Sequence, residues 1–326
     1  MRKLRLFFLP CVIGLVFVTV FLRVGGADAA ASSACHWHVV SSPNPSRQGF
    51  NSLNGVAAIS ANNIWAVGAS SSTGQAIIEH WNGIRWNLVS NPVSGSSLNS
   101  VAAIAANNIW AVGDHSGQTL VEHWNGTRWS IVPSPNVGSN FNTLNGVTAI
   151  STTNAWAIGY VVNTRSNSAQ PLVEHWNGTR WRTVSTPSIA SASLFGITAI
   201  SARDVWSVGT SFTHSATNSQ PLIEHWNGTS WRLVPGPTPQ LSGLRSVSAV
   251  SPGNIWAVGS FNSSSGGSLT LVEHWNGTTW ATVTSPSPTS YSYLNGVVAV
   301  SASHIWAVGV ASDGNGSGKT LIETGC

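Results

Sequence analysis

The chain has 326 residues, of which only 7% are charged, and it contains 32 glycines and 17 tryptophans. This composition is typical of an all-β protein, in which many turns need Gly, Ser and Asn. Most of the net charge of +4 belongs to the first 29 residues, since their removal leaves 10 basic and 9 acidic residues. Because the remaining chain is nearly neutral, we expect no basic face that could bind nucleic acid.

The first 29 residues are typical of a secretory signal peptide. Three basic residues stand within the first five positions, an uncharged run follows over residues 6–22, and an Ala-Asp-Ala cleavage pattern ends at Ala29. We predict that cleavage there leaves residues 30–326 as a secreted or cell-surface protein. The alternative is an uncleaved segment, because the uncharged run is nearly long enough to span a bilayer, and only then would a membrane hold the protein.

A unit of two short strands begins at residue 53 and recurs along the chain. Its first copy, LNGVAAISANNIWAVG, has two β-prone runs around the polar turn Ala61-Asn62-Asn63 and ends at Gly68. We name these strands A and B. The tryptophans of the six copies are spaced by 45, 46, 50, 50 and 50 residues. The copies begin at Leu53, Leu98, Leu144, Leu194, Leu244 and Leu294.

A β-hairpin follows each of the first five copies. In LVEHWNGTRWSIV, residues 120–132, Asn125-Gly126 is the dipeptide that favours a two-residue type I′ turn, and the runs on both sides of it are β-prone. These runs are strands C and D. Four strands in 45 to 50 residues is the period of a β-propeller blade. We therefore predict an all-β fold, a six-bladed β-propeller with four antiparallel strands per blade, as a single domain over residues 30–326.

The last hairpin is incomplete, and a matching strand stands at the other end of the chain. The sequence stops at Cys326, before a D strand, whereas Trp37 to Pro43 aligns with the D strand that begins at Trp129. We predict velcro closure, in which the N-terminal strand Trp37–Ser42 completes the last blade. In this alignment Cys35 and Cys326 flank the missing turn, which predicts a disulfide; two free thiols are the alternative.

Repeated aromatic and charged residues are expected to form the framework. All 17 tryptophans occupy B, C or D strand positions, which favours packing between blades over a sugar-binding surface. Because a catalytic Glu-His pair would occur once, each repeated glutamate is expected to bind backbone or indole N–H groups, with a ring of cation sites as the alternative. We predict that Glu174→Gln lowers stability by a few kcal/mol. The glutamates are Glu79, Glu122, Glu174, Glu224, Glu273 and Glu323.

The repeats, with their WAVG and EHWNGTRW motifs, resemble those of secreted bacterial β-propellers of the BNR/Asp-box and Kelch-like group, including the photosystem II assembly factor-like propellers. The resemblance covers residues 35–326. Against the Asp-box pattern Ser-x-Asp-x-Gly-x-Thr-Trp, the fifth copy supplies Gly277, Thr279 and Trp280, while Trp275 stands at the Asp position. The sialidases of this group imply an alternative function, a hydrolase or lyase acting on glycans, although the chain supplies few of the arginine, tyrosine and carboxylate residues that such an enzyme uses.

Function is expected at the face where the connections vary. The A–B and C–D connections are short and uniform, while the B–C and D–A connections, which share one face of a propeller, differ in length from blade to blade. We predict a secreted non-enzymatic binding or scaffolding protein, a monomer, that binds an unknown protein or glycan there without a metal or another cofactor. The candidate ligand-binding residues are Asp114, His115, Tyr160, Arg165, Phe212, His214, Tyr291, Tyr293, Asp313 and Lys319.

Overall fold

The computed structural model of the protein describes residues 40–45, 50–138, 141–163, 165–166, 168–212, 218–239, 241–264, 266–314 and 318–325. The chain divides into residues 1–40, of which only Val40 is described, and a unit from Ser41 to Cys326. Every helix or strand found among the described residues is a β-strand. Within the same ranges, no helix is long and apolar enough to cross a membrane.

Five successive blades each contain four antiparallel strands in the order A–B–C–D. The strands of the first three blades are β1 (Asn51–Ser60), β2 (Asn63–Ser70), β3 (Gln75–Trp81), β4 (Trp86–Leu88), β5 (Ser96–Ala105), β6 (Asn108–His115), β7 (Gln118–Trp124), β8 (Trp129–Ile131), β9 (Phe141–Ser151), β10 (Asn154–Asn163), β11 (Ser168–Trp176) and β12 (Trp181–Thr183). Those of blades 4 and 5 are β13 (Ala192–Ser201), β14 (Asp204–Phe212), β15 (Ser219–Trp226), β16 (Trp231–Leu233), β17 (Ser242–Ser251), β18 (Asn254–Asn262), β19 (Ser268–Trp275) and β20 (Trp280–Val283).

The sixth blade has three strands among the described residues. They are β21 (Tyr291–Ser301), β22 (His304–Ser312) and β23 (Gly318–Gly325). One parallel residue pair joins this blade to blade 5, so the two blades together form a seven-stranded sheet. Of the expected D strand, Trp37 to Val39 lie outside the described residues, and Val40 to Ser42 form no strand. Cys35 and Cys326 also lie outside the described residues, so their disulfide stays a prediction.

Each A strand contains a β-bulge one residue after its repeated leucine, and Asn145 is the extra residue in blade 3. The glycine of the WAVG motif makes the close strand approach possible, since a Cβ on Gly159 would lie 2.0 Å from the carbonyl oxygen of Thr143. At the bulge the Asn145 side chain reaches the next blade, where its Nδ2 donates to the Leu194 carbonyl oxygen at 2.8 Å. The bulge therefore helps to fix the spacing of neighbouring blades.

The hydrophobic core lies between successive blades. Between blades 1 and 2, Trp65 and Val67 of β2 pack against Leu98 of β5 and Trp129 of β8. The rings of Trp65 and Trp129 meet edge-on, with their centroids 5.5 Å apart. Further clusters of the same kind lie between the following pairs of blades. Because a tryptophan buries about 200 Å², this repeated packing supplies much of the contact between neighbouring blades.

The two end faces of the array carry the same residue types as the buried faces but are exposed. Leu53 of blade 1 is 49% exposed, whereas Leu98 at the same position of blade 2 is fully buried. Val308 of blade 6 is 46% exposed, whereas Val67 at the same position of blade 1 is fully buried. The first and last A strands, β1 and β21, do not pack against each other as neighbouring A strands do. The described residues therefore show a repeated antiparallel array without showing its closure.

Candidate functional site

Two of the predicted binding residues end strand β6 of blade 2. Thr143 Oγ1 donates to Asp114 Oδ1 at 3.3 Å, and His115 Nδ1 lies 3.0 Å from the Gly95 carbonyl oxygen. Burial raises the pKa of Asp114, against smaller opposing effects of the Thr143 hydrogen bond and of the His115 charge. Asp114 also lines a cavity of about 340 Å³ between blades 1 and 2.

The other predicted residues are distributed over blades 3, 4 and 6. Tyr160 on β10 faces Phe141, with ring centroids 6.4 Å apart, and Arg165 is exposed in the B–C connection that follows. His214 lies outside the described residues. On blade 6 the exposed candidates are Tyr291, Tyr293, Asp313 and Lys319. The described candidates lie at or beside the B–C and D–A connections of their blades, and the structure does not gather them into one site.

A cavity of about 520 Å³ lies between blades 4 and 5, and Phe212 at the end of β14 lines it. It opens where the B–C and D–A connections of these two blades begin and end. Its apolar wall also includes Phe195 and Leu241. The rest of the lining is Gly243 and the polar residues Thr210, Ser219, Ser242, Arg245, Ser260 and Asn262.

Two bulge residues at this cavity were not among the predicted residues, although the sequence carries a signal for them. The bulge residue is Asn in four blades, but it is Phe195 in blade 4 and Arg245 in blade 5. In the first three blades the Asn donates to a backbone carbonyl of the next blade, as Asn99 does to Leu144 at 2.9 Å. Blades 4 and 5 lack this contact, because Phe195 and Arg245 replace the Asn. A position-by-position comparison of the A strands identifies both residues, whereas loop length does not.

The two substituted bulge residues contact each other. The Arg245 guanidinium carbon lies 4.5 Å from the centroid of the Phe195 ring, a cation–π arrangement. Arg245 is exposed and Phe195 is half-buried. Among the described residues Arg245 forms no salt bridge, so its charge is not neutralised by a carboxylate. A fixed cation beside an aromatic ring is a suitable contact for an anionic group of a ligand.

The connection that enters β17 is strained beside this cavity. Leu241 has a φ of 54°, in the left-handed region that branched and bulky residues rarely adopt. Its carbonyl oxygen accepts a hydrogen bond of 3.0 Å from the backbone N–H of Asn262. Such a conformation costs on the order of 1 kcal/mol and is found more often at functional sites than elsewhere. Here it places Leu241 on the wall of the cavity.

Comparison with known proteins gives the fold but no family. No family model matches the chain, and no curated protein matches it. The structure of YCF48 bound to a D1 peptide matches with a TM-score of 0.52 and 14% identity, over 82% of this chain and 80% of that chain. YCF48 from Cyanidioschyzon merolae matches with a TM-score of 0.51 and 16% identity, over 86% of each chain. A protein of unknown function from Dyadobacter fermentans DSM 18053 matches at 0.50 and 11%, over 81% and 91%.

The chain has a β-propeller fold. The identities to these propellers are low, so the likeness shows the architecture alone, and the relation to the BNR/Asp-box or Kelch-like group stays a resemblance of motifs. Among the described residues of the propeller, no group of three or more His, Cys, Asp or Glu side chains is placed to hold a metal ion.

The repeated glutamates of the propeller are buried between blades. Ser134 Oγ donates to Glu174 Oε2 at 2.6 Å, and Asn91 Nδ2 donates to Glu122 Oε2 at 3.5 Å. Both donors belong to the D–A connection of the preceding blade. The sequence predicted backbone or indole N–H groups as the donors to these glutamates, and this prediction was wrong for Glu174 and Glu122, whose donors are side chains of the connection. The indole nitrogens of the buried D-strand tryptophans have no hydrogen-bond partner within the described residues.

Burial sets the protonation of these glutamates. It raises the pKa of Glu174 to about 8 and that of Glu122 to about 7, in both cases against the hydrogen bond that each accepts. The pKa values of Glu224 and Glu273 are raised to about 8 by the same burial. Near neutral pH Glu174, Glu224 and Glu273 thus favour the uncharged form, which suits a framework position better than a cation site.

The histidines that follow the glutamates face the other side of strand C and form a second repeated network. His175 packs against Trp156, with ring centroids 4.2 Å apart, and its Nε2 lies 3.0 Å from Asn154 Oδ1. In blade 4 Asp204 takes the place of this Asn, and its Oδ1 lies 2.8 Å from His225 Nε2. Burial lowers the pKa of His175. The sequence showed the repeat of these histidines but not their partners in the A–B turn.

Asn154→Ala is expected to lower the free energy of unfolding by about 1 kcal/mol, since it removes the partner of a partly buried imidazole. The urea midpoint of the purified protein measures this change. Thr152→Ala is a matched control, because the Thr152 side chain is exposed in the same turn. An equal loss of stability in both variants would contradict a specific role of the contact between His175 and Asn154.

Proposed function

We propose that this propeller is a secreted, non-enzymatic binding protein whose ligand occupies the cavity between blades 4 and 5. The observation that carries the proposal is the exchange of the bulge Asn for Phe195 and Arg245 at this cavity. The exchange removes the hydrogen bonds that the bulge Asn donates to the next blade. It places an aromatic ring and an unneutralised cation in a concave surface. A cavity with an apolar wall and a few convergent polar groups is the usual form of a ligand site.

Three further parts of the proposal rest on other observations. The predicted signal peptide over residues 1–29 supports secretion or display at the cell surface. The solved complex of YCF48 with a D1 peptide supports binding as an activity of this fold. The scarcity of tyrosine and carboxylate residues outside repeated positions favours binding over hydrolysis of glycans. We propose residues 30–326 as one domain that acts as a monomer and binds a protein or glycan.

We also propose that the propeller has six blades and that the sixth packs against the first. The exposed Leu53 and Val56 of blade 1 correspond to residues that are buried in blades 2 and 3 by the preceding blade. The exposed Val308 of blade 6 corresponds to residues that the following blade buries. The exposed faces of blade 1 and blade 6 therefore carry the residue types that pack against each other between the other blades. Closure would bury both apolar faces against each other.

The N-terminal segment fits the missing D strand of blade 6. Trp206 of blade 4 packs against Trp275 and Trp280 of blade 5, with ring centroids 5.1 and 5.7 Å apart. Trp256 of blade 5 faces Gly325 instead, and a cavity of about 90 Å³ is open beside it. In the alignment of the repeats Trp37 takes the place of Trp280, so we propose that its indole fills this cavity.

The same alignment supplies a hydrogen-bond donor for blade 1. The D–A connection of one blade reaches the buried glutamate of the next, as Ser134 reaches Glu174 and Ser285 reaches Glu323 at 2.9 Å. Ser42 stands at the position of Ser134 and Ser285. In a closed propeller its hydroxyl would therefore face the buried Glu79, one oxygen of which has no partner within the described residues.

The binding proposal predicts which substitutions remove ligand. The double variant Phe195→Asn, Arg245→Asn restores the residue of the other blades, so it should fold as the original chain does. The labelled original chain and the labelled variant are applied to the same array of peptides and glycans. On the spots that bind the original chain, the variant should bind at least about tenfold more weakly, which corresponds to a loss of about 1.4 kcal/mol in binding free energy. Circular dichroism and the melting temperature check the fold.

The matched control is the double variant Tyr160→Ala, Arg165→Ala, which changes the same face in blade 3. The sequence alone, which gives Tyr160 and Arg165 as candidate ligand-binding residues, predicts that this variant lowers the affinity with little change in melting temperature. A ligand in the cavity between blades 4 and 5 predicts instead that the variant keeps both the binding and the melting temperature. If both double variants bind as the original chain does, the cavity between blades 4 and 5 is not the site. Release of product from an array glycan, lost in the Phe195→Asn, Arg245→Asn variant, would replace the binding function by the hydrolase alternative.

A further inference from the structure

We infer that the cavity between blades 4 and 5 accommodates a carboxylate-bearing sugar, such as a hexuronate residue of an acidic polysaccharide. This inference rests on the proposed function and names the chemical class of its ligand. Three observations carry it: the charge of Arg245, the kind of polar group in the lining, and the pairing of the surrounding backbone.

The charge of the cavity selects an acidic group. Arg245 is the charged residue of the lining, and no acidic side chain is among the described residues that form it. Its guanidinium lies against the face of Phe195, which leaves the N–H groups at its edge available to a ligand. The geometry of these donors matches the two oxygens of a carboxylate, and such a charge-assisted pair is stronger than a neutral hydrogen bond.

The polar groups around the charge are side-chain hydroxyls and one amide. A sugar ring presents several hydroxyl groups, each of which both donates and accepts, and serine and threonine hydroxyls complement them because they also do both. The aromatic rings of Phe195 and Phe212 can cover the apolar C–H face of such a ring. The hydroxyl and amide residues of the lining are Thr210, Ser219, Ser242, Ser260 and Asn262.

The backbone around the cavity favours a sugar over an extended peptide. Peptides that bind by strand addition need a sheet edge with free N–H and C=O groups. Thr210 lies on the inner strand β14, where it pairs with Ser193 and Pro221, and Ser260 lies on the inner strand β18, where it pairs with Gly243. The strands β13 and β17 are the edges of their sheets, but they pack against each other. The lining therefore offers mainly side chains for recognition, and its hydroxyl and amide side chains outnumber its apolar ones.

The inference is tested by calorimetric titration of the secreted chain with oligogalacturonate. The same oligomer with its carboxyl groups methyl-esterified, an acidic peptide and sialyllactose are titrated in parallel. Oligogalacturonate should bind, and esterification should weaken binding at least about tenfold. Arg245→Asn should remove this discrimination, whereas Arg245→Lys should keep part of it, because lysine retains the charge but not the fork of donors. Ser52→Ala, in the cavity between blades 1 and 2, should change nothing.

The outcomes separate the ligand class from the proposed function. Binding of sialyllactose alone, with the same dependence on Arg245, would keep the carboxylate sugar and exclude the hexuronate. Binding of the acidic peptide alone, with that dependence, would overturn the sugar and leave the binding function in place. Binding of oligogalacturonate that Arg245→Asn leaves unchanged would overturn the assigned site. If none of the four probes binds, the inference is wrong, and the array experiment on Phe195 and Arg245 decides separately on the binding function.

Discussion

Trp37→Ala is expected to lower the melting temperature of a chain of residues 30–326 by about 10 °C. Removal of a large aromatic side chain from a packed site costs about 3–5 kcal/mol, and each kcal/mol corresponds to about 2–4 °C in a domain of this size. Removal of residues 30–45 should have a larger effect, because it also deletes the strand and exposes the edge of β23. Scanning calorimetry together with light scattering measures both the unfolding and the aggregation that an open edge promotes.

His38→Ala is the matched control for Trp37→Ala. Side chains alternate across a strand, and the residue that corresponds to His38 in blade 5, Ala281, is exposed, whereas Trp280 beside it is buried. His38→Ala should therefore melt within about 1 °C of the original chain. If Trp37→Ala also does so, the N-terminal segment does not complete the last blade.

Raising the pH from 5.5 to 9 is expected to lower the melting temperature by roughly 5–10 °C. The pKa of Glu174 is about 8 in the folded chain, above the ordinary value of 4.5. A carboxyl group with a raised pKa binds a proton more tightly when folded, so its stabilisation is complete at pH values below 4.5 and is lost as the pH rises through 8. Glu122, Glu224 and Glu273 shift in the same direction, to about 7 or 8, and add to the effect.

The quadruple variant with Gln at Glu122, Glu174, Glu224 and Glu273 should abolish most of this pH dependence. Gln has nearly the shape of a neutral Glu and can still accept the Ser134 hydrogen bond, so the variant should match the original chain near pH 5.5 and exceed its stability at pH 9. Asp313→Asn, at an exposed carboxylate, should leave the dependence unchanged. A quadruple variant that is less stable than the original chain at pH 9 would show that the glutamates stabilise the fold in their charged form.

The raised pKa of Glu174 revises an expectation from the sequence. The repeat predicts that the glutamates are framework residues, and a charged, hydrogen-bonded carboxylate there predicts a loss of a few kcal/mol for Glu174→Gln. Burial cannot be read from the repeat, yet it decides the charge: Glu174 has no exposed surface. The single substitution is therefore expected to be nearly neutral near pH 5.5 and stabilising at pH 9.

The architecture could be predicted because each local signal is strong and occurs several times. Asn125-Gly126 marks the position of the hairpin, and Gly126 has a φ of 97°. The predicted two-residue type I′ turn was wrong: Trp124 pairs with Trp129, so the connection runs from Asn125 to Arg128, and Asn125 does not have the positive φ that such a turn requires. The steps between B-strand tryptophans give the blade period. The A-strand bulge could not be predicted, because the pairing that displaces Asn145 depends on the close approach of Gly159 to the neighbouring strand, which is a property of the folded sheet.

The residues of the proposed cavity could be predicted only in part for a related reason. Variation in loop length gave Phe212, which lines the cavity, as a candidate. It missed Phe195 and Arg245, because they stand within a strand whose length does not vary. Their exchange becomes visible only when the bulge position is recognised as the place where each blade contacts the next. The spatial relation of Asp114 to Thr143 likewise depends on the packing of blade 2 against blade 3.

Mass spectrometry of a chain of residues 30–326, digested without reduction, tests most directly whether the two ends of the chain meet in the last blade. Cys11 leaves with the predicted signal peptide, so Cys35 and Cys326 are the remaining cysteines. A completed sixth blade places them on the two sides of the turn that the other blades form with Asn-Gly. The expected result is one pair of peptides joined through Cys35 and Cys326. Two alkylated free thiols would contradict it.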